Sequence, residues 1–384
     1  MKPPTRKRIV MGATVDRSLS VLVGFPQYLV ANGWDVHVVS APGPALDRLG
    51  RLKGITTHGI DMRRDPSLFH DLRALLYWIQ LLLSLRPSVL YVGTPKASLL
   101  ALLAGALLGV PKRIYVLRGL RLESSSGAAR LILRLMEMTT AKASTSVVAV
   151  SHSLLRVALG LSLAPPRKIV VLGRGSSNGV DTSRFRAFSR GAETSDPKLL
   201  ERLSDGTPTI GFVGRLTEAK GLATLTEASR LLEEDGVAHH LLLVGGVDGD
   251  DVAYRRLREG AVSLVEVGHV EDTSPYYRYM TVLTLPTLRE GFPNAVLEAS
   301  ASGVPVVTTT ATGAVDSVEN DKTGLVVPPE NATELARALK ALLLDPDRAR
   351  QLGRNGRAWV EKHYRQELVW DRLREVIEDA DGAY

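Results

Sequence analysis

Two carboxylates stand eight residues apart in Glu290-Gly-Phe-Pro-Asn-Ala-Val-Leu-Glu298. The preceding run TVLTLPT (281–287) reads as a strand, LREGFP as the turn after it, and NAVLEASAS as a helix. That pattern puts Glu290 on a loop at the carboxyl end of a sheet and Glu298 about a turn into the following helix. The amides of 291–294 would then lie at a helix N-terminus, which suits an anion or a hydroxyl. By themselves the two acids read equally well as a first-turn acid and a solvated helix acid.

A second constellation follows another strand. Phe212-Val-Gly-Arg-Leu216 ends it, and Glu218-Ala-Lys220-Gly221 leads into a helix. Gly214 allows close backbone approach, and Arg215 and Lys220 place two cations where a diphosphate could lie. Further along come Gly303-Val-Pro-Val-Val307, a Thr-rich strand end at 308–312, and Thr323-Gly-Leu-Val-Val-Pro328. The run Gly175-Ser-Ser-Asn-Gly-Val-Asp181 is followed four residues on by Phe185.

The elements that must position these residues alternate along the chain. Strand-like runs at 8–14, 35–40, 88–94, 113–118, 146–151 and 168–173 are separated by helical patterns such as 68–85, with Pro87 just beyond. The scheme repeats at 209–216, 239–246, 264–268, 281–287, 305–309 and 324–328. Continuous apolar strands followed by helices predict parallel sheets covered on both faces. Two doubly wound domains are therefore expected, 1–185 and 206–364, with a C-terminal helix (365–384) packing back on the first. Ligands of such sheets bind at the carboxyl ends of the strands.

Composition narrows the function. The 384 residues are 45% hydrophobic and 23% charged, the balance of a folded chain, and without Cys there are no disulfides, thiolate metal sites or cysteine nucleophiles. The basic start runs into too short an apolar stretch for a signal peptide, and 75–83 and 99–110 fall short of the roughly 20 residues that span a bilayer. The net charge of +7 divides unevenly: 27 Lys and Arg against 9 Asp and Glu up to Arg190, then 21 against 32. A basic half suggests an anionic partner, namely a phosphate substrate or an acidic membrane, and Lys2, Arg6, Lys7, Arg8, Arg63 and Arg64 add to it. Scattered cations and 5% aromatics argue against nucleic acid.

Together these motifs resemble glycosyltransferase family 4, retaining transferases of the GT-B fold with an E-x7-E motif, over essentially the whole chain. TPKAS (94–98), the RGLRLE run (118–123) and the GSSNGVD turn are similar to members that build capsule, exopolysaccharide and O-antigen units. The resemblance implies an α/β architecture of two Rossmann-like domains facing across a cleft. It also implies a nucleotide-sugar donor, a UDP-sugar, with neither cofactor nor metal. Arg215 and Lys220 match the pair that holds the donor diphosphate, Glu298 the acid that binds the ribose hydroxyls, and Glu290 the acid beside the donor sugar. Gly214, Gly291, Phe292, Pro293, Asn294 and Leu297 complete the expected donor site. The acceptor implied is a polyprenyl-diphosphate-linked saccharide, taken by an enzyme at the cytoplasmic membrane face. The alternatives are transfer to a soluble small molecule, or a non-catalytic nucleotide-sugar-binding subunit.

The chain departs from that family at Arg118-Gly119, where many relatives carry His-Gly, at Gly93, where they often carry His or Phe, and at Thr281, where Asp is usual. Lys96 and Arg118 are the candidate acceptor-phosphate cations. Three further features read as structural. Asp248, Asp250 and Asp251 mimic a metal motif in a polar loop. Ser151-His152-Ser153 begins a helix, where a Ser cap is ordinary. The segment 75–83, with Tyr77 and Trp78, reads as a buried helix face.

Overall fold

The computed structural model describes residues 7–62, 67–186, 197–247, 252–260 and 263–379. Lys2, Arg6, Arg63, Arg64 and the three Asp of the 248–251 loop lie outside the described residues. By internal contacts the chain forms two compact units, 1–178 with 367–384, and 179–366.

Unit 1 holds strands β1 (Arg8–Gly12), β2 (Asp35–Ser40), β3 (Ile55–Gly59), β4 (Val89–Val92), β5 (Lys112–Leu117), β6 (Ser146–Ala149) and β7 (Ile169–Val171). They pair in the order β3-β2-β1-β4-β5-β6-β7, every pair parallel. Its helices are α1 (Phe25–Ala31), α2 (Pro44–Gly50), α3 (Leu68–Leu85), α4 (Pro95–Leu107), α5 (Gly127–Ala143) and α6 (His152–Gly160). Unit 2 adds α7 (Pro197–Leu203), α8 (Leu222–Glu234), α9 (Val252–Gly260), α10 (Asn294–Ala301), α11 (Ala332–Leu344) and α12 (Pro346–His363). Its strands are β8 (Thr209–Val213), β9 (His240–Val244), β10 (Leu264–Gly268), β11 (Val282–Leu285), β12 (Val306–Thr309) and β13 (Leu325–Val327), in the order β10-β9-β8-β11-β12-β13. The last helix, α13 (Gln366–Glu378), belongs to unit 1 from Glu367 onward.

Every run expected to be a strand forms one. The strands β4 and β8 are buried at every position, as a parallel sheet covered on both faces requires. The unexpected strand is β3, whose ITTHG sequence lacks an apolar run because it is an edge strand with one inward residue, Ile55.

Local signals set the helix ends. Proline occupies the first turn of α1, α2, α4 and α12, where its missing N–H costs nothing. The Ser151 hydroxyl accepts from Leu154 N at 3.3 Å, so it caps α6. The helix α3 ends at Arg86 in the left-handed conformation, with Pro87 next.

The reading of 75–83 as a buried face holds for one side of α3 only. Ala74, Trp78 and Leu82 are buried, and the Trp78 indole lies over Gly12 of β1. Leu76, Tyr77 and Leu83 point outward and are about half exposed. An 18-residue helix against one sheet can bury a single stripe, so the rest of its apolar residues face outward. Among the described residues no helix is long and apolar enough to cross a membrane.

In unit 1, α13 is tied to α1 by Trp370, whose ring lies 5.4 Å from that of Tyr28 and whose indole N–H donates to Asn178 Oδ1 at 2.7 Å. Arg374 Nε donates to the Tyr28 hydroxyl at 3.0 Å.

Candidate active site

The strand order of unit 2 reverses direction between β8 and β11, and the loops leaving those two neighbours hold the residues of interest. Such a switch point opens a crevice beyond the carboxyl ends of the strands. The loop after β8 carries Gly214, Arg215 and Lys220; the loop after β11 carries Glu290.

Lys220 Nζ and Glu290 Oε1 form an ion pair across 70 residues of sequence, both side chains largely buried. Backbone bonds hold their loops together: Leu288 N donates to Ala219 O at 3.1 Å, and Glu290 N to Thr312 O at 2.8 Å. Two glycines make this possible. Gly221 turns at φ +79° with no room for a side chain against the Pro286 carbonyl, and Gly313 at φ +77° packs against the carbonyls of Glu290 and Gly291. Arg215 is exposed at the end of β8, where Leu216 N donates to Gly246 O at 2.9 Å.

Glu298 lies in α10, and its Oε2 accepts from the Tyr277 hydroxyl at 2.7 Å and from Thr273 Oγ1 at 3.0 Å. Burial pushes its carboxyl above the ordinary carboxylate range, and the two hydroxyl donors partly offset this. Burial and the neighbouring carboxylate in turn push the Tyr277 phenol well up. Sequence inspection does not find Tyr277 or Thr273, because they lie 21 and 25 residues before Glu298, within and just before a 3-10 turn (Ser274–Tyr279) without a motif. Phe185 stacks edge-on against Tyr277 at 5.8 Å.

The remaining expected donor residues divide by burial. Phe292 and Pro293 are buried, with Phe292 against Tyr364 at 5.4 Å. Leu297 is fully buried, so its side chain serves the core. Gly291 and Asn294 are half-buried at the start of α10, and Asn294 Oδ1 has no hydrogen-bond partner.

In unit 1 the corresponding reversal falls between β1 and β4. There the Thr14 and Thr94 hydroxyls lie 2.9 Å apart, and Thr14 N donates to Thr94 Oγ1 at 2.7 Å. Lys96 is 6% exposed and its Nζ pairs with Asp71 Oδ1 at 2.8 Å. Arg118 follows β5, beside Gly93 at the end of β4. A Cβ at position 93 would stand 2.6 Å from Arg118 Nε, so the two departures from the family pattern are one: the glycine vacates the space that the guanidinium fills. Arg118 Nη1 reaches Ser177 O at 3.4 Å, and the rest of the guanidinium is buried between Gly93 and the Tyr91 hydroxyl. Burial lowers the Arg118 pKa, with Tyr91 acting against it.

Among the described residues no group of three His, Asp or Glu is placed to hold a metal ion.

Two doubly wound parallel units, with cations and carboxylates gathered at a switch point, make up the GT-B fold of glycosyltransferases. The model for "Glycosyl transferases group 1" matches residues 207–345, and that for "Glycosyl transferase 4-like domain" matches 26–175. The capsular polysaccharide biosynthesis glycosyltransferase CapM of Staphylococcus aureus is 35% identical over 94% of each chain. The chain therefore belongs to this glycosyltransferase family and is a glycosyltransferase. The UDP-Gal:alpha-D-GlcNAc-diphosphoundecaprenol alpha-1,3-galactosyltransferase of Escherichia coli is 24% identical, over 72% of this chain and 71% of that one. Anabaena Alr3699/HepE, solved in complex with UDP-glucose, superposes with a TM-score of 0.77 at 17% identity, covering 96% of this chain and 99% of that one.

Proposed function

We propose that this enzyme transfers a sugar, with retention, from a UDP-sugar to a polyprenyl-diphosphate-linked saccharide in cell-surface polysaccharide biosynthesis, working at the cytoplasmic face of the membrane. The observation that carries the reading is the Lys220–Glu290 pair at the switch point of unit 2. The pair puts a cation suited to a phosphate beside a carboxylate suited to a sugar hydroxyl.

In this reading Arg215 and Lys220, with the Gly214 backbone, hold the donor diphosphate. As the bond between the anomeric carbon and the phosphate oxygen breaks, its electron pair leaves with the phosphate. The two fixed cations stabilise the charge that grows there. The acceptor hydroxyl attacks the same face of the sugar and gives its proton to the departing phosphate oxygen. Glu290 positions the sugar, aided by the backbone of Gly291, Phe292 and Pro293 and by Asn294. Glu298, held by Tyr277 and Thr273, binds the ribose hydroxyls, and Leu297 supports it from the core. On the acceptor side, Arg118, held against Gly93 at the ends of β4 and β5, supplies positive charge toward a phosphate of the lipid diphosphate. Lys96 is a second cation, shared with Asp71. The diphosphoundecaprenol named for the Escherichia coli relative supports a diphosphate-linked acceptor, and the UDP-glucose bound to HepE supports a UDP-sugar donor.

The test is a screen of UDP-, GDP- and TDP-sugars for slow acceptor-free hydrolysis, repeated in excess chelator. Hydrolysis of one UDP-sugar, undiminished by chelator, is expected. A strict need for manganese or magnesium would overturn the metal-independent mechanism. Full activity on a soluble acceptor without phosphate would overturn the lipid-linked one.

A further inference from the structure

Helices α3, α4 and α5 form one layer on the unit 1 sheet, with α4 packed between the other two. Among the described residues, sixteen large apolar side chains stand exposed, and eleven of them lie on these three helices. They follow helical spacing. Leu131, Ile132, Leu135 and Met138 make an outward stripe on α5, and Phe69, Leu72, Leu76 and Leu83 make another on α3. Leu107 of α4 is 74% exposed between them. Exposed apolar residues scattered singly need no explanation, whereas a contiguous set on one layer does.

The charge on the same layer is one-sided. The three helices contain two acids, Asp71 and Glu137. Asp71 is ion-paired with Lys96, and Glu137 is largely buried and accepts the Tyr115 hydroxyl bond at 2.6 Å. Neither offers a free negative charge outward. Arg73, Arg130 and Lys142 are exposed there. At its C-terminal end the α5 stripe runs into a groove of about 670 Å³ where Leu135, Met138, Leu163 and Pro165 meet Lys142 and Arg167. Apolar side chains flanked by cations, with no outward acid on these three helices, complement a surface that is apolar inside and anionic at its headgroups.

We propose that the outer face of the α3–α4–α5 layer docks on an anionic phospholipid bilayer, with the α5 stripe seated among the acyl chains and Arg130, Lys142 and Arg167 among the headgroups. This deepens the membrane reading above by naming the surface, and it leaves the donor chemistry untouched. The arrangement holds the enzyme at the bilayer without a spanning helix. Each cation near the surface contributes about fivefold in partition, and the apolar stripe makes the attachment persist where salt screens the charges.

The experiment is sedimentation of the full chain with vesicles of phosphatidylcholine alone or with phosphatidylglycerol, at low and high salt. Three variants accompany it: Leu131→Ser with Leu135→Ser, Arg130→Glu with Lys142→Glu, and Leu344→Ser on unit 2 as a control. The wild type and control should bind the anionic vesicles alone. The charge-reversed variant should lose at least tenfold, and the stripe variant should lose the salt-resistant fraction. Circular dichroism and donor hydrolysis in detergent should match the wild type in every variant, which separates failure of docking from failure of the transferase reading. Equal binding to neutral vesicles, no binding at all, or losses in the control as large as in the face variants would overturn the proposal. So would a wild-type dimer in light scattering that the stripe variant converts to monomer, since the face would then belong to a second copy of the chain.

Discussion

Glu137 lies on α5 under the Tyr115 hydroxyl, and burial raises its pKa from 4.5 to about 7, with the Tyr115 bond acting the other way. In the unfolded chain the same carboxyl ionises near its ordinary value. Between the two values the folded protein holds a proton that the unfolded chain has already released. Stability therefore falls as pH rises through that window and levels off above about 7. The gap corresponds to roughly 3 kcal/mol at its full extent. Glu137→Gln keeps the shape and an acceptor for Tyr115 but has no charge to bury. The variant should be more stable than the wild type by roughly 3 kcal/mol at pH 8, and by only about 1 kcal/mol at pH 5, where the wild-type carboxyl is mostly protonated in the fold. Urea denaturation followed by tryptophan fluorescence reads this directly, because Trp34, Trp78 and Trp370 all belong to unit 1 with Glu137. Equal stability of variant and wild type at pH 8, or a variant less stable at both pH values, would refute the reasoning: the carboxylate would then be well solvated or usefully paired in the fold.

Lys220→Ala should lower kcat by roughly 10²–10³ with a smaller change in KM, because the lysine faces charge that grows toward the transition state; steady-state kinetics showing a rise in KM alone would remove it from that role. Glu298→Ala should chiefly raise the donor KM, and Tyr277→Phe, which removes the 2.7 Å bond to the same carboxylate, should do so more mildly. A fall in kcat with an unchanged KM in either variant would count against ribose binding. Gly93→Ala should destabilise by about 1–3 kcal/mol through collision with Arg118, and adding Arg118→Ala should recover much of the loss. Strict additivity in that double-mutant cycle would show that the two positions are not coupled.

Much of this enzyme is legible along the chain because its signals are local. A parallel strand buried on both faces needs an uninterrupted apolar run, and a loop that brings backbone to a ligand needs glycine, so twelve strands and the turns after β8 and β11 can be read from spacing alone. The run ITTHG of β3 lacks that signal, since an edge strand buries too little to require apolar residues. Strand order decided the rest. Lys220 and Glu290 become partners because β8 and β11 are neighbours, a relation that no pattern within either segment contains. Tyr277 and Thr273 reach Glu298 for the same kind of reason, and Gly93 makes room for Arg118 because β4 lies against β5. Composition marked 75–83 as apolar, but only packing settled that Trp78 faces the sheet while Tyr77 faces outward. Periodicity reports that a helix has an apolar side; which residues that side buries depends on what the rest of the chain folds against it.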